Sequence, residues 1–227
     1  MSAAHCLVDE FGRTSAQSVT AVIGEKDIRR VPNRAMYNVK TFIVPTTFAP
    51  ARNGNLEGDI AVLKLDRAVP SEFKPIQLAS KNTRIPPWLV VAGWGVTETN
   101  RSPSSKLKYV AVPSLTVSQV KKFGQMTGTY FQMEDDKMAA GLGEGDSCSG
   151  DSGGPLIIPS KDEFTNSDAN ESVLVGVVSY GLTARCQSGK NTVGFYTAIE
   201  PYANWIKSEI GGRRRTKKRT KKSRKEA

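Results

Sequence analysis

Histidine is almost absent from this chain of 227 residues: there is one, His5. Any reaction that needs an imidazole base has a single candidate for it. Long apolar runs are also lacking, and no stretch approaches the roughly 20 residues that a membrane-crossing helix requires. The chain is therefore not read as a membrane protein. Met1 to Leu7 lead straight into Val8-Asp9-Glu10, without a basic segment followed by an apolar one, so no export signal is expected within the chain as written. Cysteine is scarce and odd in number. Cys6, Cys148 and Cys186 leave one thiol over if the other two bridge. No internal repeat is present, and no helical period persists through the first half.

Negative charge is missing from one place in particular. The net charge is +10, but Arg213 to Lys225 holds ten Lys and Arg, and the last seventeen residues contain only Glu226 in opposition. The remaining 210 residues carry 22 basic and 21 acidic groups, a body of about neutral charge. A polyanion is thus a candidate partner for the tail, and no general nucleic-acid surface is implied for the body. With 38% hydrophobic residues and this length, the body can bury a real core as one large domain or two small ones.

What is present reads as all-β. Ser18 to Ile23, Tyr37 to Val44 and Ile60 to Leu65 are short segments rich in Val, Ile, Thr and aromatics, separated by turn signals at Gly24-Glu25, Pro32-Asn33, Pro45 and Asn53-Gly54. Val69 to Pro87 contains Pro70, Pro75, Pro86 and Pro87, which suits an extended connector and places a domain boundary there. Strands are expected again at Trp88 to Ala92, Leu107 to Val112, Leu156 to Ile158, Val173 to Ser179 and Gly194 to Thr197. Thr116 to Phe123 is a short helix or turn, and Lys161 to Ser172 an exposed loop. Pro201 opens a terminal helix with Tyr202, Trp205, Ile206 and Ile210 on one face. Gly211-Gly212 ends it, and the basic run beyond is expected to be disordered.

The chemistry concentrates in Gly145-Asp146-Ser147-Cys148-Ser149-Gly150-Asp151-Ser152-Gly153-Gly154-Pro155, a serine in a glycine-rich turn between two aspartates. Glycines on both sides of Ser152 let the backbone bend tightly, exposing the hydroxyl and converging N–H groups on one point. Taken alone, such a turn is weak evidence for a nucleophile. A serine hydroxyl needs a base and a group to orient that base. With His5 as the base, the order must be histidine first and serine late. That excludes an α/β-hydrolase order, and no aspartate precedes His5 for a subtilisin-like one.

A histidine, then an aspartate, then a serine on an all-β chain resembles the chymotrypsin/trypsin family of serine endopeptidases. Ala3-Ala4-His5-Cys6, Asp59-Ile60-Ala61-Val62-Leu63 and Gly150-Asp151-Ser152-Gly153-Gly154-Pro155 look like its three catalytic motifs. Gly93-Trp94-Gly95, Ser179-Tyr180-Gly181, Gly194-Phe195-Tyr196-Thr197 and Trp205-Ile206 also fall where the family has them. The resemblance covers roughly residues 2 to 210 and implies two six-stranded Greek-key barrels with a C-terminal helix. Residues 1–72 would form the first barrel, 73–87 the connector, 88–200 the second barrel, 201–210 the helix and 211–227 the basic tail.

The resemblance further implies His5 as general base, Asp59 as its orienting partner and Ser152 as nucleophile. Backbone N–H groups of Gly150 and Ser152 would form the oxyanion hole. Asp146 would lie at the base of the specificity pocket, with Ser147, Ser179, Tyr180, Gly181 and Gly194 lining it. Cleavage after Arg or Lys follows, on protein or peptide substrates, with no cofactor and no metal, by a secreted monomer. Cys148 and Cys186 would form a disulfide.

Family members carry further strands before the histidine motif, so the N-terminal barrel is expected to be incomplete. The partner of Cys6 would then lie in the preceding segment. Asp151 matches the family's activation switch, which pairs with a newly cut N-terminal amine, and without that amine a buried Asp151 is expected to be unpaired. The leading expectation is a truncated form of a secreted zymogen. The alternatives are a non-catalytic homologue that binds a partner and a polyanion-binding function of the tail.

Overall fold

Runs of β-branched and aromatic residues become strands when a turn residue ends each one before a helical period can develop. The computed structural model describes residues 1–9, 11–48, 56–97, 102–129, 133–143, 145–160, 171–181 and 192–211. Its first half holds β1 (Thr20–Val22), β2 (Met36–Ile43) and β3 (Val62–Leu65), an antiparallel sheet in the order β1-β2-β3. Strand β4 (Gln77–Leu78) follows in the proline-rich connector.

The second half holds β5 (Trp88–Gly93), β6 (Lys108–Leu115), β7 (Lys137–Gly141), β8 (Pro155–Ile158), β9 (Val173–Gly181) and β10 (Val193–Ala198). These run β10-β7-β6-β5-β8-β9, and β9 pairs back onto β10, so the six strands close into a barrel. Closure removes the exposed edge where β9 and β10 pair. Strand β4 is added parallel to β9 through Gln77–Val173 and Leu78–Leu174. The architecture is mostly β, as expected, with a closed six-strand barrel, a second sheet and a short terminal helix.

Leu89, Val112, Leu156, Tyr196, Ile199 and Ile206 are fully enclosed in the main core. Each aliphatic side chain so buried contributes about 1.5–3 kcal/mol. Ile60 and Val62 join the same cluster, so the strand entered from Asp59 packs directly onto the barrel. The two halves share one core at this point.

Helix α1 (Val117–Thr127) is longer than the Thr116 to Phe123 expected. Its start is fixed by a capping box, in which Thr116 and Gln119 satisfy each other's backbone N–H groups, and Gly128 at φ +66° ends it. Helix α2 (Ala203–Ile210) follows a 3-10 turn over Glu200–Tyr202 with Pro201 inside it. Ile206 is buried and Trp205 half-buried on the expected face, whereas Ile210 at the end of the helix is exposed. The basic tail beyond Gly211 lies outside the described residues, as do residues 161–170 of the expected loop.

Candidate active site

Asp59 and His5 are brought together by a bridge between two segments far apart in sequence. Ser2 N–H donates to Ala61 O at 3.0 Å and Ala61 N–H to Ser2 O at 2.7 Å, which lays the His5 segment beside the residues after Asp59. His5 then meets Asp59 twice. Its backbone N–H donates to Oδ1 at 2.9 Å, and Nδ1 lies 2.7 Å from Oδ2. The Asp59 side chain is fully buried and takes a third bond from Ser179 Oγ at 2.6 Å. Thr197 Oγ1 anchors the Asp59 carbonyl at 2.8 Å.

Burial pushes the Asp59 carboxyl up, but the His5 side chain, the Ser179 hydroxyl and the His5 N–H together hold it below its ordinary value. An ionised carboxylate only accepts, so Nδ1 must carry the proton that it shares with Asp59. This leaves Nε2 as the ring nitrogen that Asp59 does not engage. The hydrogen bond to Asp59, and secondly the Cys6 thiol, push the imidazole up to about 10. Cys6 Sγ lies 3.7 Å from Nε2.

The serine turn is latched to β9. Gly153 N–H donates to Val178 O and Val178 N–H to Gly154 O, both at 2.9 Å, one residue before Ser179 turns to Asp59. Gly153 sits at φ +80°, and a Cβ there would meet Ser2 Oγ at 2.4 Å and Ala3 N at 2.9 Å. Only glycine allows the turn to press so closely on the segment leading to His5. Ser152 is exposed on this turn and lines the cleft. Among the described residues its hydroxyl makes no hydrogen bond to His5, and the N–H groups of Gly150 and Ser152 have no acceptor. The structure thus joins His5 to Asp59 and docks the serine turn beside them without closing a Ser152–His5 bond.

Asp151 departs from expectation. Its Oδ1 accepts from Gly95 N–H at 2.7 Å and its Oδ2 from Cys148 N–H at 2.9 Å, so it is half-buried and satisfied, not unpaired. Backbone donors, invisible in a residue string, compensate its charge. A Cβ on Gly93 or Gly95 would overlap the Asp151 carboxylate, at 2.0 and 2.5 Å. That close approach accounts for both glycines of Gly93-Trp94-Gly95.

The cleft beside Ser152 has a volume of about 330 Å³ and reaches Asp146, Ser147, Ser179, Tyr180 and Gly181. Asp146 Oδ1 accepts from Ser147 N–H at 2.7 Å and from Tyr196 OH at 3.3 Å. Burial raises the Asp146 carboxyl, opposed by bonds from Thr192, Ser147 and Tyr196. Gly194 borders this carboxylate, since a Cβ there would lie 3.1 Å from Asp146 Oδ1, whereas one on Gly181 would meet nothing nearer than 3.9 Å. Tyr180 stacks on Phe195 with ring centroids 4.8 Å apart. Cys148 is disulfide-bonded. Its expected partner, Cys186, lies outside the described residues.

A role the sequence did not reveal belongs to Ser179, expected only as a lining residue of the cleft. It also donates to Asp59 across 120 positions of sequence. A serine at the end of an apolar strand, Val173 to Val178, was the available signal, because a buried hydroxyl must find an acceptor.

The family model described as Trypsin matches residues 1–206. Melanization protease 1 of Drosophila melanogaster is 38% identical over 74% of this chain and 42% of its own length. Clotting factor G beta subunit of Tachypleus tridentatus is 29% identical over 91% of this chain and 66% of its own. Spaetzle-processing enzyme of Drosophila melanogaster is 30% identical over 92% of this chain and 56% of its own. The chain spans about half the length of such curated relatives. With the family model matched from the histidine motif through the serine motif and into the terminal helix, the chain belongs to the trypsin-like family of serine proteases.

Proposed function

We propose that this chain is the catalytic part of a serine endopeptidase that cuts after Lys or Arg through an acyl-enzyme. The observation that carries the reading is the doubly bonded His5–Asp59 pair, which commits Nδ1 and leaves Nε2, touched only by the Cys6 thiol among the described residues, as the proton-accepting nitrogen beside a docked serine turn. Ser152 Oγ attacks the scissile carbonyl as His5 Nε2 takes its proton. Asp59 stabilises the imidazolium that forms, and His5 returns the proton to the leaving amine. The N–H groups of Gly150 and Ser152 receive the oxyanion. Loss of one such donor costs about two to three orders of magnitude in rate. Substrate binding brings Ser152 and His5 into contact, as catalytic hydrogen bonds commonly tighten only in the complex.

Asp146 selects the residue before the cut bond. A carboxylate in a desolvated slot, with Gly181 and Gly194 leaving room for a long side chain, pairs with an ammonium or guanidinium through charge-assisted hydrogen bonds. The test is hydrolysis of peptide substrates with Lys, Arg or Leu before the scissile bond. Asp146→Ser is expected to lower kcat/KM for Lys and Arg substrates by about two to four orders of magnitude, matching the roughly 3–5 kcal/mol of a broken buried charge pair. Unchanged preference in that variant contradicts the assignment.

Asp151 is proposed as the activation switch. An incoming ammonium would join the two backbone donors that already hold its carboxylate. The disulfide at Cys148, which we assign to Cys186, suits an oxidising compartment and hence a secreted protease. No cofactor enters the mechanism.

A further inference from the structure

Glu134-Asp135-Asp136-Lys137 reads as a solvated charge run, yet Asp136 is 8% exposed and Lys137 5%. Taking such charges out of water is costly unless each is paired and hydrogen-bonded. Here each is. Lys137 Nζ lies 2.9 Å from Asp136 Oδ1 and donates to the Leu56 carbonyl at 2.5 Å. Asp136 Oδ2 accepts from Gly58 N–H and from Tyr202 OH, both at 2.8 Å. Glu134 Oε1 takes Leu56 N–H at 3.1 Å, and its Oε2 takes Tyr180 OH at 2.8 Å.

Three of these contacts share one target. Leu56 is held at both its N–H and its carbonyl, and Gly58 at its N–H, so the peptide groups on both sides of Glu57 are fixed immediately before Asp59. The hold comes from the other half of the molecule, 78 to 81 positions away. An apolar pair of the same size would fill the space without the desolvation cost. What the charged pair adds is geometry, since it specifies where two named peptide groups sit.

We propose that Asp136 and Lys137 are positioning residues that set the loop carrying Asp59, and through it His5, while Glu134 ties the same loop to Tyr180 in the cleft wall. The inference rests on the peptidase reading above, because it concerns how that site is aligned. It has a readout that does not depend on activity. His5 is the one histidine in the chain, so its ring protons report a single titration by NMR, and among the described residues the groups bonded to its ring are Asp59 and Cys6.

Two double variants separate the effects in the full chain. Asp136→Ala with Lys137→Met removes both arms. Asp136→Asn with Lys137→Met leaves no stray buried charge and keeps an amide oxygen for Gly58 N–H. The first is expected to lower kcat by about 10²-fold, the effect of an ångström-scale misplacement, and to move the His5 midpoint toward the free value of about 6.5. KM should stay within about twofold. The second is expected to recover about tenfold of the lost kcat. If the first does not fold, the second is read alone, with about a tenfold loss and a lowered His5 midpoint expected. Either variant that folds with parental kcat and a parental His5 midpoint overturns the proposal. Failure of the peptidase reading looks different: the parent chain then shows no Ser152-dependent hydrolysis, and the His5 titration still decides the positioning role.

Discussion

Both oxygens of Asp59 are engaged by His5, one through the backbone N–H and one through Nδ1. The consequence at the scale of the residue is a displaced titration. The proposed mechanism needs a neutral imidazole, and His5 is pushed up to about 10 by the Asp59 hydrogen bond and then by Cys6. Activity is therefore expected to rise with pH through neutrality, with an acid-limb midpoint above the free imidazole value of about 6.5. In Asp59→Asn the midpoint should fall toward 6.5 and kcat by about 10⁴-fold, because an amide stabilises neither the imidazolium nor the required tautomer. A kcat/KM profile over pH for both proteins checks this; coincident midpoints contradict it. Stability carries the matching sign. The raised His5 value contributes fully below about 6.5 and is lost as pH climbs through the folded-state value near 10.

Among elements, the decisive contact is that of the serine turn with the segment before His5. Gly153→Ala would set a side chain at φ +80° and push it into Ser2 Oγ and Ala3 N. Activity is expected to fall by at least about tenfold, with destabilisation of about 1–3 kcal/mol; peptide hydrolysis and thermal unfolding measure the two. Parental values in both would show that the approach is not needed. Much at this scale was legible in the sequence. Eight strands stood out because β-branched residues cluster between Gly and Pro. Strand β7, Lys-Met-Ala-Ala-Gly, did not, because it has no β-branched residue and takes its extended form from pairing with β6 and β10. Strand β4 was masked by the prolines around it and exists by pairing with β9. The order of the one histidine and a late serine pointed to His5 and Ser152, whereas Asp59 and Asp146 were singled out through the family resemblance. The satisfaction of Asp151 by Gly95 and Cys148, and the burial of Asp136 and Lys137, depend on contacts between distant segments and left no local pattern.

For the whole molecule, charge separates into a near-neutral body and a tail of ten basic residues opposed by Glu226. Binding to a polyanion by counterion release scales with the number of cations engaged. Removing residues 211–227 is expected to abolish retention on heparin at low salt while leaving peptide hydrolysis unchanged. Retention by the shortened chain would place the anion site on the body. The body itself gathers its site from both halves, with His5 and Asp59 from the first and Ser152, Ser179 and Asp146 from the second. Labelling of the full chain with a fluorophosphonate, followed by peptide mass mapping, tests that assembly most directly. Serine oxygen attacks phosphorus and fluoride leaves, a step that needs the same base and oxyanion donors as peptide attack. The account predicts a single adduct on Ser152, absent from Ser152→Ala and formed at least about 10³-fold more slowly in His5→Ala. No adduct at Ser152, or equal labelling without His5, contradicts it.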